Sequence, residues 1–115
     1  MFKIEDLNWT EWKSFPDPQK GENLTAPFGY GIYQLKNRRT KEFVIFGKGN
    51  NCAHRMSSLL PRPIGASGRN AEDKKENVQE NLPDIDYRTV FFLDEAEMQK
   101  MEKLIKALNI HKFNR

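Results

Sequence analysis

A chain of 115 residues with 37% hydrophobic content can build one modest core and is too short for two. Eight Phe, three Tyr and two Trp argue against disorder, and no apolar run approaches the ~20 residues of a membrane-crossing helix. The N-terminus lacks a basic-then-apolar leader, and the lone Cys52 excludes an internal disulfide, so the expectation is a cytoplasmic domain with no membrane partner. The net charge of +3 is mild but uneven: residues 34–75 carry ten Lys/Arg against three Asp/Glu. A basic middle between mildly acidic ends suits either a polyanion-facing surface or a solvated basic loop.

Residues 1–27 read as an irregular extension, with Leu7, Trp9 and Trp12 able to pack while Pro16, Pro18 and Gly21 interrupt any long element. The core is expected over 28–115. A first strand is predicted over Tyr30–Leu35, a polar hairpin turn at Asn37-Arg38-Arg39-Thr40, and a second strand over Glu42–Phe46. The continuous run Phe43-Val44-Ile45-Phe46 suits a central strand covered on both faces. Gly47-Lys48-Gly49 reads as the turn that stops it, before a helix from about Asn51 to Leu60 with Ala53, Met56, Leu59 and Leu60 on one face.

Pro61 and Pro63 end that helix. Residues 61–83 form a long polar connection in which Glu72–Glu80 could be a short solvated helix. Tyr87–Leu93 is the clearest strand, rich in Thr, Val and Phe. Asp94 and Glu97 then make a capping box for a last helix whose apolar stripe is Met98, Met101, Leu104, Ile105 and Leu108. The order β-β-α-(loop)-β-α predicts an α/β domain with a central three-stranded mixed sheet flanked by helices.

Gly31-Ile32-Tyr33 on one strand, Ile45-Phe46-Gly47 on the next, and Arg55 eight residues past Gly47 together resemble the GIY-YIG nuclease module. Glu102 lies on a later helix where that family carries a metal-binding glutamate, and Asn114 stands twelve residues beyond it, as in the excision-repair members. The segment from Gly31 to Asn37 is also similar to the first strand and turn of homing endonucleases with this domain. One position departs: the family's second tyrosine, two residues before the glycine, is Ile45 here, which can neither give nor take a proton.

The resemblance implies a metal-dependent endonuclease that hydrolyses DNA phosphodiesters with Mg²⁺ or Mn²⁺. Tyr33 would orient or activate water, Arg55 would bind phosphate through its planar fork of donors, and Glu102 would hold the divalent ion. Lys48, His54, Arg62, Arg69 and Asn114 are candidate substrate contacts. Arg62 and Arg69 sit in a glycine-containing segment whose backbone N–H groups can approach an anion, or which is simply a connector. Glu102 can equally pair with Lys106 one helical turn on. Two alternatives stay open: a catalytically impaired nucleic-acid-binding module of the same fold, and a protein-interaction domain whose basic middle meets an acidic partner.

Overall fold

The computed structural model describes residues 2–16, 29–52, 56, 77, 78 and 80–113. Its strands are β1 (Lys13–Ser14), β2 (Gly31–Asn37), β3 (Phe43–Gly49) and β4 (Ile85–Phe91), followed by helix α1 (Glu95–Leu108). They form one four-stranded sheet in the order β1-β4-β2-β3, and every strand pairing in it is antiparallel. The domain is therefore α/β as expected, but the sheet has four strands and is not mixed. The fourth strand comes from the extension expected to be irregular. Thr10 and Phe15 donate backbone N–H groups to the carbonyls of Thr89 and Ile85, pinning the N-terminal segment along β4.

β2 is the middle of this arrangement, and its residues alternate between the two faces as the period of a strand requires. Ile32 enters a core cluster with Phe46, Val90, Met98 and Ile105, while Tyr33 and Leu35 enter another with Ile45, Cys52, Met56 and Tyr87. Each Ile, Leu or Phe fully withdrawn from water contributes roughly 1.5–3 kcal/mol. Both faces of β2 are thus held by burial, which fixes its register against β3 and β4.

β3 was expected to be central, and it stands at the end of the sheet order. Val44, Ile45 and Phe46 of its apolar run are still buried, and the chain after α1 covers its outer edge. Lys112 and Phe113 donate backbone N–H groups to Phe43 and Val44 at 3.0 and 2.9 Å, and Phe113 makes an isolated parallel bridge with Ile45. Gly47-Lys48-Gly49 continues β3 rather than ending it. The β2–β3 hairpin turns where expected: the Asn37 side chain accepts from the N–H groups of Arg39 and Thr40, and Lys41 takes a φ of 62°.

α1 starts at Asp94, whose carboxylate accepts from the N–H of Ala96 at 2.7 Å, and ends at Asn109 in the left-handed conformation. Of the expected stripe, Met98 and Ile105 are buried, Met101 and Leu104 are half-buried, and Leu108 is exposed. The helix packs on the Ile32 face of the sheet. Helical backbone at Cys52 and Met56 lies against the Tyr33 face; the rest of the expected helix, and the connection over residues 57–76, fall outside the described residues. β3 and β4 are both antiparallel to β2 and so parallel to one another.

Candidate functional site

The register pairs Tyr33 with Gly47 across β2 and β3. A methyl group on Gly47 would overlap the Tyr33 hydroxyl and come within 2.7 Å of ring atom Cε1. The ring therefore lies across the glycine, leaning from β2 toward the outer edge of the sheet, where only a residue without a side chain leaves room. Gly31 has a parallel role: a Cβ there would come 2.9 Å from that of Cys52 and 3.1 Å from the Val90 carbonyl. Its absence lets the segment after β3 seat beside β2, an approach tied by the Cys52 N–H donating to the Gly29 carbonyl. Burial pushes the Cys52 thiol up to about 12, so it is an inert packing group.

Ile45 lies on the Tyr33 face, fully buried in the same cluster. A buried isoleucine thus fills the position compared above with the second tyrosine of the resembled family. Tyr33 itself is 6% exposed. Lys48 pairs with Ile32 in register and so belongs to the opposite face, the one that α1 covers. Glu102 is half-buried on α1, also on that face. Tyr33 and the helix carrying Glu102 are therefore on opposite sides of the sheet. What they share is the strand β3: Tyr33 leans over Gly47, and the chain leaving α1 closes on the outer edge at Phe43–Ile45.

Arg55, His54, Arg62, Arg69 and Asn114 lie outside the described residues. Among the described residues, no group of three or more His, Cys, Asp or Glu could hold a metal ion. A single carboxylate with solvent access, such as Glu102, fits only an ion that keeps most of its waters, the habit of Mg²⁺. Part of the basic surplus is neutralised locally. Arg38 pairs with Asp86 at 3.0 Å and Arg39 with Asp84 at 3.4 Å, so neither guanidinium is left solely for a polyanion. A surface pocket of about 370 Å³ opens elsewhere, between the N-terminal segment and the start of α1; its lining includes Asp6, Leu7, Phe91, Asp94 and Glu97.

One constellation was not foreseen from the sequence. On the α1 face, the nearly buried Arg88 donates from both terminal nitrogens to Glu5 at 2.7 and 2.8 Å and from Nε to Gln34 Oε1 at 2.7 Å. Its guanidinium carbon stands 4.5 Å from the ring centre of Trp9 and 4.4 Å from that of Trp12, and Lys36 reaches Trp12 at 4.2 Å. The Gln34 amide nitrogen continues the chain to His111 at 2.9 Å. The Arg88 hydrogen bonds hold the Glu5 carboxyl below its ordinary range, against the opposing effect of its partial burial. Gln34 and Arg88 are polar residues inside otherwise apolar strands, a signal of an internal network, but their partners lie 54 to 83 residues apart.

Comparison with protein-family models, curated proteins and solved structures finds no match to this chain. Among the described residues, no helix is long and apolar enough to cross a membrane.

Proposed function

We propose that this chain is a GIY-YIG-type endonuclease domain that cleaves DNA phosphodiesters at the outer edge of β3 with the help of a divalent metal. The Tyr33–Gly47 pair is the observation that carries this proposal. Two of the motif's residues, fourteen apart in the chain, meet in a packing relation in which the aromatic ring of one lies where the other has no side chain. Gly31, the motif's first residue, is likewise needed for the Cys52 approach that starts the segment bearing Arg55.

In this scheme Tyr33 orients the attacking water and Arg55 donates to the non-bridging phosphate oxygens, while Glu102, carried on the other side of the sheet, would have to supply its carboxylate for Mg²⁺ around the outer edge of β3. Bound there, the ion would neutralise charge on the phosphate and stabilise the leaving oxygen. Attack of water breaks one P–O bond, the departing oxygen takes up a proton, and a strand break results. The full burial of Ile45 favours a second candidate, a binding module of the same fold that has lost cleavage.

The two are separated by nicking of supercoiled plasmid in Mg²⁺, Mn²⁺ or chelator, beside salt-dependent DNA affinity. The endonuclease predicts metal-dependent nicking that Glu102→Gln abolishes with binding retained, because an amide is a poorer ligand for a hard cation. Equal nicking by wild type and Glu102→Gln overturns the site. Salt-sensitive binding without nicking selects the binding module, and affinity indifferent to ionic strength rejects both.

A further inference from the structure

We propose that the pocket at the open end of β4 docks an extended segment of a partner protein, one in which arginine or lysine alternates with large apolar residues. The segment pairs with the backbone of Phe91 as an added strand. The site lies on the β1 side of the sheet, two strands from β3, and does not rest on the endonuclease reading.

The opening follows from strand alternation. In an antiparallel sheet the N–H and C=O of one residue point to one neighbouring strand, and those of the next residue point to the other. Phe92 donates to the Tyr30 carbonyl where the chain enters β2, so the even positions of β4 face β2. The odd positions face the N-terminal segment. The carbonyls of Ile85 and Thr89 accept from Phe15 and Thr10, and the Thr89 N–H donates to the Thr10 hydroxyl. Phe91 is the next odd position, and there the N-terminal segment turns aside, with Trp9 donating to the Leu7 carbonyl and not to β4. Among the described residues nothing pairs with the outward N–H and C=O of Phe91. The pocket of about 370 Å³ opens at this gap, within the ~300–1,000 Å³ range of ligand sites.

The lining selects the occupant. Phe91 is 55% exposed and Leu93 is 89% exposed, two large apolar side chains that a strand laid along the edge would cover. Asp6, Asp94 and Glu97 bring three carboxylates to the same pocket, and no Lys, Arg or His lines it. Asp94 gives one oxygen to the Ala96 N–H, and among the described residues no ion pair engages any of the three. Nor do they come together as a group that could hold a metal ion. In a chain of net charge +3 this rim is locally acidic, so it repels a polyanion and complements a cationic side chain. The unpaired N–H and C=O of Phe91 call for an extended backbone beside that cation, which is recognition by strand addition.

The test is titration of the whole ¹⁵N-labelled chain with a capped heptapeptide alternating valine and arginine. The peptide should shift the amide resonances of residues 6–8 and 91–94 and slow exchange of the Phe91 amide as it gains a carbonyl partner. Methylating every backbone nitrogen of the peptide should weaken binding roughly tenfold or more, because its donors to the edge are lost. Leu93→Ser, at a side chain too exposed to matter for folding, should weaken binding roughly tenfold. Asp6→Asn with Glu97→Gln should weaken it roughly fivefold and flatten its salt dependence. A peptide with glutamate for arginine should produce no shifts. Absence of shifts at millimolar arginine peptide, equal shifts with the glutamate peptide, or full affinity in both variants overturns the docking site. Duplex DNA moving the same resonances overturns the charge argument. Shifts that grow with protein concentration alone would make the occupant a second copy of this chain and overturn the partner segment. None of these readouts depends on cleavage, so an inactive protein rejects the endonuclease and leaves the docking site to be judged by its own measurements.

Discussion

The contact between Tyr33 and Gly47 can be tested as an energy. Gly47→Ala places a methyl group where the Tyr33 ring and hydroxyl lie, and the ring, 6% exposed, has little free space to enter. Overpacking of this kind costs about 1–3 kcal/mol. Gly47 is not in the left-handed region, so alanine is permitted by the backbone, and its smaller unfolded-state entropy returns about 0.4–1 kcal/mol. The net expectation is a destabilisation of ~1–2 kcal/mol. Tyr33→Leu removes Cε1, Cζ and the hydroxyl, the atoms the methyl would strike. In that background Gly47→Ala should be neutral or stabilising by about 0.5 kcal/mol, giving a coupling energy near 2 kcal/mol. Urea unfolding of the four proteins, followed by circular dichroism with a common m-value, measures it. An equal cost for Gly47→Ala in both backgrounds would refute the contact, and with it the observation on which the proposed function stands.

Other outcomes follow from the Arg88 network, Cys52 and the end of α1. Arg88→Met should cost about 2–4 kcal/mol, because Gln34 Oε1 is left unpaired in the core and two cation–π contacts vanish, whereas solvent readily takes back the exposed Glu5. Glu5 titrates below its ordinary 4.5 when folded, so its contribution is complete above that value and lost as pH falls through the lowered one. Acid unfolding of Glu5→Gln should be less steep there, by an amount that solvent screening keeps small. Cys52 should resist a thiol reagent at mildly alkaline pH and react as fast as free cysteine only in denaturant; rapid labelling of the native protein would contradict its burial. Asn109 caps α1 with a φ of 52°, so Asn109→Ala should lower stability by about 1 kcal/mol in the same urea assay, and Asn109→Gly should not.

The sequence by itself determined the local elements. Alternation placed Ile32 and Tyr33 on opposite faces of one strand, the polar run after Asn37 made the hairpin, and Asp94 opened a helix whose stripe is led by Met98 and Ile105. These follow from periods of 2 and 3.6 residues and from caps, interactions spanning a few positions that any stretch of chain carries with it. The glycines at 31 and 47 were visible as motif letters, but why each must be glycine was not, because the atoms they avoid belong to Cys52 and to Tyr33 on the neighbouring strand.

Tertiary structure alone decided the rest. A run such as Phe43–Phe46 reads the same whether covered by a neighbouring strand or by a returning tail; only the fold shows β3 at the end of the sheet with Phe113 beside it. The N-terminal segment looks irregular in isolation because its partners are the carbonyls of Ile85 and Thr89. Glu5, Gln34, Arg88 and His111 are unremarkable letters spread over more than a hundred positions, and only burial brings them together as one hydrogen-bonded network. Strand order and buried polar pairing depend on distant segments meeting, and the entropy of closing those long loops is met by the sum of the packing, not by any local pattern.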